Sequence, residues 1–270
     1  MTLHIANVTS ISRDIDRGKF SIPNCITRFH RVYTQMPENE CFIIPVKIDT
    51  PSQEFYIRRC LKSIRRLYPT TRVIIALSKG TSPLVVDDPN IIQVDNPYFS
   101  TLGCIYLFYK HKYADYAFIL HDSMVVNKPL PRTDRDVSFI YYFYEPGMAA
   151  IHYTGNYQKI LTPYQHADMM RNQKNGCFGV SMGLKHSIIQ NLNILHIIPT
   201  VTTKDDFCAM ERIFAYLCDS NGVNYDALCG SIFGPADPWV HPEFSTMTLE
   251  EILDRKYPMC VIKSMVGRKE

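Results

Sequence analysis

Tyr116-Ala-Phe-Ile-Leu-His-Asp-Ser-Met-Val-Val126 is the stretch on which the reading of the chain turns. Its apolar run is broken once, by His121-Asp122-Ser123, resumes with Met-Val-Val and stops at Asn127-Lys-Pro129. Four or five apolar residues in a row predict a strand buried on both faces. A carboxylate at the end of such a strand stands on a stiff element at the sheet's carboxyl edge, where open α/β folds bind ligands. Asp122 is therefore a candidate ligand-facing group. The competing reading is that it opens a turn or accepts from nearby backbone donors.

Upstream, the same signals repeat. Cys41-Phe-Ile-Ile-Pro-Val46 predicts a buried strand, and Lys47-Ile-Asp-Thr-Pro51 a loop. Thr50 or Ser52 caps a helix in which Phe55, Ile57, Leu61, Ile64 and Leu67 recur near helical spacing until Tyr68-Pro69. Arg72–Leu77 and Ile91–Asp95 are further strands, with a Pro-, Asp- and Ser-rich loop between them. Leu102, Ile105, Tyr106, Phe108 and Tyr109 form an apolar helix face before the Tyr116 strand. This order predicts an α/β fold with a mostly parallel sheet flanked by helices.

Downstream, Ser138-Phe-Ile-Tyr-Tyr-Phe-Tyr144 and Gly176-Cys-Phe-Gly-Val-Ser-Met-Gly183 each read as one strand, and His186 to Leu192 as a helix. A short helix is expected around Tyr164 to Met170. Thr203-Lys-Asp-Asp206 caps a helix over Phe207 to Cys218, with first-turn acids that suit its dipole. Another short helix starts near Thr248. The divisions follow as an N-terminal extension over 1–39, halves over 40–127 and 128–245, and a helix with tail over 246–270.

The 270 residues suffice for a substantial core, and 46% hydrophobic with 20% charged is ordinary for a globular chain. A net charge of +3 gives no reason to expect a nucleic-acid partner. Arg58, Arg59, Lys62, Arg65 and Arg66 cluster at helical spacing and read as a solvated helix face. The apolar runs are too short for a transmembrane segment, and no basic start followed by an apolar stretch marks a secretory signal. Nine cysteines without a Cys-x-x-Cys pair suggest reduced thiols and a cytoplasmic protein.

Neither a dinucleotide-binding glycine fingerprint, nor a phosphate loop, nor a Gly-x-Ser-x-Gly elbow is found, which argues against dehydrogenase, ATPase and hydrolase chemistry. What remains is a set of acids at strand ends and helix starts: Asp49, Asp95, Asp122, Asp205 and Asp206.

Phe42-Ile-Ile-Pro-Val46, Cys60-Leu-Lys-Ser-Ile64 with Tyr68-Pro69, and Val73-Ile-Ile-Ala-Leu77 occur in that order, followed by Val94-Asp-Asn96 and Thr101-Leu-Gly103. Then come Phe118–Val126, Gly176-Cys-Phe-Gly179 and Asp205-Asp206. Together, over roughly residues 40–245, these segments resemble the large inverting family of GT-A fold glycosyltransferases. The resemblance implies a nucleotide-sugar-binding first half with a donor site at Pro45, Val46, Asp49, Asp95, Gly103, His121, Asp122 and Ser123. It implies a second half, with a smaller acceptor-side sheet, that takes a glycan or other hydroxyl acceptor near Gly179, Tyr144 and Trp239.

Such a reaction needs charge neutralisation on a leaving diphosphate and a base for the acceptor hydroxyl. Asp206 or Asp205 is the implied base, with capping of the following helix as the alternative. His121 and Ser123 stand where the family's Asp-x-Asp motif has its two acids. The implied divalent cation, Mn or Mg, would then be held by Asp122 with His241. Alternatively, Lys or Arg compensates the diphosphate without metal. A sugar nucleotidyltransferase and a non-catalytic glycan- or partner-binding homologue are the other readings. Lys47-Ile-Asp-Thr-Pro-Ser52, which has no glycine, counts against the first, and the altered motif favours the second.

Overall fold

The computed structural model describes residues 39–131, 133–144, 152–172, 175–231 and 242–263. The chain begins with β1 (Glu40–Val46), α1 (Pro51–Leu67), β2 (Arg72–Leu77), β3 (Ile91–Asp95), α2 (Ser100–His111), β4 (Tyr116–Ile119) and β5 (Met124–Val126). It continues through β6 (Val137–Phe139), β7 (Tyr142–Tyr144), α3 (Thr154–Ile160), α4 (Pro163–Asn172), β8 (Asn175–Cys177) and β9 (Met182–Lys185). Last come α5 (Lys204–Ser220), β10 (Tyr225–Ala227), α6 (Leu249–Asp254) and β11 (Val261–Lys263).

Seven strands form one sheet in the order β10-β6-β9-β4-β1-β2-β3. The pairs of β1 with β2 and β4, β2 with β3, and β6 with β10 are parallel. Only β9 runs the other way, antiparallel to both β4 and β6. The fold is thus α/β with a mostly parallel central sheet, as the alternation of apolar strands and helices predicts. Two small antiparallel pairs, β5 with β11 and β7 with β8, lie beside it.

β1 shows why the fold takes this form. All seven residues are buried, and successive side chains alternate between two cores. Cys41 and Ile43 join the face that carries Leu102, Phe108, Phe207 and Phe214 of α2 and α5. Phe42, Ile44 and Val46 join the face covered by Ile57, Leu61 and Ile64 of α1. α1 starts where expected: Thr50 is the N-cap, Pro51 takes the first helical position, and Gln53 Oε1 accepts from the Thr50 amide at 2.9 Å.

Four expectations are corrected. The single strand over 138–144 is two, because the chain leaves the central sheet after Phe139 and pairs again at Tyr142 in the small sheet. The strand over 176–183 is broken by a 3-10 turn, Phe178–Val180, in which Gly179 has φ +62°. His186 to Leu192 is no α-helix but a 3-10 turn, His186–Ile188, followed by turns. The basic face of α1 is not simply solvated. Arg59 is buried and donates to the Phe244 and Met247 carbonyls at 2.6 and 2.5 Å. Lys62 pairs with Glu250 at 2.5 Å. These contacts tie the C-terminal segment to α1.

Candidate functional site

The register fixes where chemistry can collect. β1, β2, β3, β4, β6 and β10 all end on one edge, at Val46, Leu77, Asp95, Ile119, Phe139 and Ala227, and the antiparallel β9 starts there at Met182. Asp49, Asp95, His121–Ser123, the Gly179 turn and Tyr144 therefore gather at the carboxyl edge of one sheet.

His121-Asp122-Ser123 is a turn between β4 and β5, closed by the Met124 amide on the His121 carbonyl at 3.0 Å. The Asp122 carboxylate is only partly exposed. Burial pushes its pKa up to about 6 against the opposing pull of the Lys263 ammonium and the Ser123 amide. Ser123 is itself buried. Asp122 thus stands in a turn at the carboxyl edge of the sheet.

Gly179 organises the neighbouring groups. Its carbonyl accepts from His121 Nε2 at 2.7 Å and Thr101 Oγ1 at 3.2 Å, and its amide donates to Glu211 Oε1 at 2.8 Å. Gly179, the implied acceptor-side residue, has both of its backbone polar groups engaged within the protein. Because Nε2 donates, the neutral His121 ring carries its proton there and keeps a lone pair on Nδ1. Burial, with the nearby Lys263 charge, holds its pKa well below the usual histidine range. A Cβ on Gly179 would lie 2.6 Å from His121 Nε2, on a backbone already at positive φ. Gly179→Ala is thus expected to cost about 2 kcal/mol in a urea melt, with loss of the low His121 pKa in an NMR titration.

Glu211 was missed in the sequence. It lies on α5 in line with Lys204 and Cys208, at the i, i+4, i+7 spacing that places residues on one helix face. Burial raises its pKa, against the Gly179 amide and the charges of Lys263, Lys204 and Arg212. Lys263 was also missed; it comes from β11, opposite Met124. Its ammonium lies 4.8 Å over the Phe178 ring, and burial lowers its pKa to about 8, with Glu211 and Asp122 opposing. Two carboxylates and two ammonium groups, from the β4–β5 turn, α5 and β11, thus lie near enough to influence one another.

The remaining candidates are placed as follows. Pro45 and Val46 are buried at the carboxyl end of β1. Asp49 is exposed and pairs with Lys47 at 2.7 Å. Asp95 is exposed at the end of β3. Gly103, expected at the donor, is buried in α2 and admits Asn96, whose Oδ1 would lie 1.5 Å from a Cβ there. Tyr144 is 46% exposed. Trp239 and His241 lie outside the described residues.

Asp206 is the capping acid. Its carboxylate, 1% exposed, accepts from Lys159 Nζ at 2.5 Å, Asn156 Nδ2 at 2.9 Å, and the Thr202 and Thr203 amides at 3.0 Å each. Burial alone would raise its pKa, but these donors hold it well below the usual carboxylate range. A carboxylate so bound is a poor proton acceptor, and its contacts are those of capping, the alternative reading of this residue. Asp205 is exposed in the first turn of α5.

The described residues do not suit a divalent cation. Asp122 is the one carboxylate of its turn, His121 offers a single nitrogen, and the Lys263 charge already occupies the neighbourhood. Mn and Mg favour several oxygen ligands, and among the described residues no three His, Cys, Asp or Glu side chains converge in this way. Two cavities, of about 310 and 500 Å³, lie elsewhere, one between α1 and Val85–Asp88, the other at the sheet's opposite edge beside Tyr116 and Lys185. Among the described residues no helix is long and apolar enough to cross a membrane, and no disulfide joins the eight cysteines.

The chain matches no protein-family model and no curated protein. Among solved structures it is similar to the galactosyltransferase LgtC in complex with donor and acceptor sugar analogs, at 12% identity and TM-score 0.40 over 84% of this chain and 98% of that one. It is also similar to a CMP:2-keto-3-deoxy-manno-octonic acid synthetase complexed with CTP, at 12% identity and TM-score 0.35 over 81% of this chain and 98% of that one.

Proposed function

We propose that this protein transfers a sugar from a nucleotide-diphosphate donor to a hydroxyl acceptor, with inversion at the anomeric carbon. The observation that carries the reading is the convergence of Asp122, Glu211 and Lys263 at the carboxyl edge of the sheet, with both carboxylate pKa values raised by burial. The order of sequence motifs that resembles GT-A glycosyltransferases supports it. Asp49 and Asp95, at the ends of β1 and β3, would meet the nucleoside, and Asp122 the donor's sugar–diphosphate end. Tyr144 offers a partly exposed ring to the acceptor.

Glu211 is the base in this reading. As the acceptor oxygen bonds to the anomeric carbon, its proton passes to the Glu211 carboxylate. The bond from that carbon to the diphosphate oxygen breaks at the same time, and its electron pair leaves with the diphosphate. A single displacement of this kind inverts the centre. The raised pKa strengthens Glu211 as a proton acceptor, and the Gly179 amide holds one oxygen so that the other can face the hydroxyl. The tightly bound Asp206 lacks both advantages.

The test is release of nucleoside diphosphate from a panel of UDP- and GDP-sugars, with water or simple glycosides as acceptors. Glu211→Gln is expected to lower turnover about a thousandfold while nucleotide affinity stays within about threefold of wild type. Release from no donor would contradict the proposal. Pyrophosphate release from a nucleoside triphosphate and a sugar 1-phosphate would instead establish the nucleotidyltransferase reading.

A further inference from the structure

Resting on that reading, we infer that Lys263 is the fixed cation that faces the leaving diphosphate, in the role a divalent ion would otherwise fill. β11 is three residues long and pairs with β5, which starts two residues after Asp122. That pairing sets Lys263 opposite Met124 and brings the chain's last described residue to the Asp122 turn. The strand is anchored just before it: the Cys260 carbonyl accepts from the Asn127 and Lys128 amides at 2.8 and 3.2 Å. Residues on a paired strand hold a charge more firmly than residues on a loop.

The ammonium itself is unusually placed. Lysine seldom lies in a protein interior without a partner; Lys263 is half-buried, yet among the described residues it forms no ion pair within 4.0 Å and no hydrogen bond, only the approach to the Phe178 ring. Asp122 and Glu211 both influence it from beyond ion-pair distance. The half-buried cation has two carboxylates near it and no oxygen on it among the described residues; a phosphate oxygen is the partner its chemistry would take. Lysine binds phosphate as a compact point charge. The poor fit of Asp122 and His121 to a divalent ion points the same way, since a second positive centre would stand beside Lys263.

The experiment is calorimetric titration of the full chain with UDP, GDP and CDP, in EDTA and again with Mn²⁺. The inference expects wild type to bind at least one diphosphate in EDTA, with Mn²⁺ changing the affinity less than about threefold. Lys263→Met should weaken that binding about thirtyfold, and Lys263→Arg should recover most of it. Binding that appears only with Mn²⁺ would overturn the inference and leave sugar transfer standing, and this wild-type comparison holds whether or not a variant folds. Wild-type-like binding by folded Lys263→Met would also overturn it. Failure of all three nucleotides under both conditions would remove the donor site itself, and the transfer reading with it.

Discussion

Asp206→Ala is expected to destabilise the fold by about 4 kcal/mol, close to what loss of one partner in a buried charged network removes. The truncation strands the Thr202 and Thr203 amides and Asn156, all now satisfied by one carboxylate. It also breaks the Lys159 contact that fastens α3 to α5. Asp206→Asn, which keeps the shape but not the charge, should lose about half as much. The pH dependence follows from a folded pKa held below the unfolded value. Stability from Asp206 is complete above the ordinary aspartate pKa, near 3.8, and is lost as pH falls through the depressed folded value. Urea melts at several pH values read this directly. Where Asp206→Asn remains folded, it should keep turnover within about tenfold of wild type, unlike Glu211→Gln.

Asp122→Asn is expected to move stability and activity in opposite directions. The folded protein holds the Asp122 proton more tightly than the unfolded chain, with a pKa raised from 3.8 to about 6. Its contribution therefore favours the fold below about pH 4 and is withdrawn as pH climbs through about 6. The full shift corresponds to about 3 kcal/mol; with the side chain partly exposed, about 2 kcal/mol is the expected gain for the asparagine variant near neutral pH. That gain amounts to about 5 °C in melting temperature and vanishes near pH 4. Turnover should meanwhile fall about a hundredfold or more, as for loss of one electrostatic contact at a reacting centre. A stabilised, inactive variant marks a residue kept for chemistry.

The central sheet was legible because β1, β2 and β4 are buried on both faces and so carry uninterrupted apolar runs. α1 and α5 were legible from Thr50 and Thr203, whose capping patterns are local. The candidate site was half legible. Asp122 stands out because a charge interrupts an apolar run, and its placement at the sheet edge follows from that alone. Glu211 sits inside a helix where an acid looks like any solvated position; only its line with Lys204 and Cys208 hinted at a shared face. Lys263 gave less signal still, since a three-residue strand is too short for periodicity and its pairing with β5 is a long-range event. Gly179 misled for a related reason. Glycine in an apolar segment reads as a strand irregularity, whereas here a positive φ and the close approach of His121 both require it. Asp206 shows the opposite limit: capping and catalysis draw on the same residue type at a helix start, and only the count of donors around the carboxylate separates them.

A crystal structure of the protein soaked with the diphosphate that binds it most tightly examines the candidate site itself. If sugars are transferred here, the two phosphates lie between the Asp122 turn and β11, with an oxygen within hydrogen-bonding reach of Lys263 and Glu211 on the acceptor side. Density for the nucleotide at the sheet's opposite edge, or against α1, would contradict that reading.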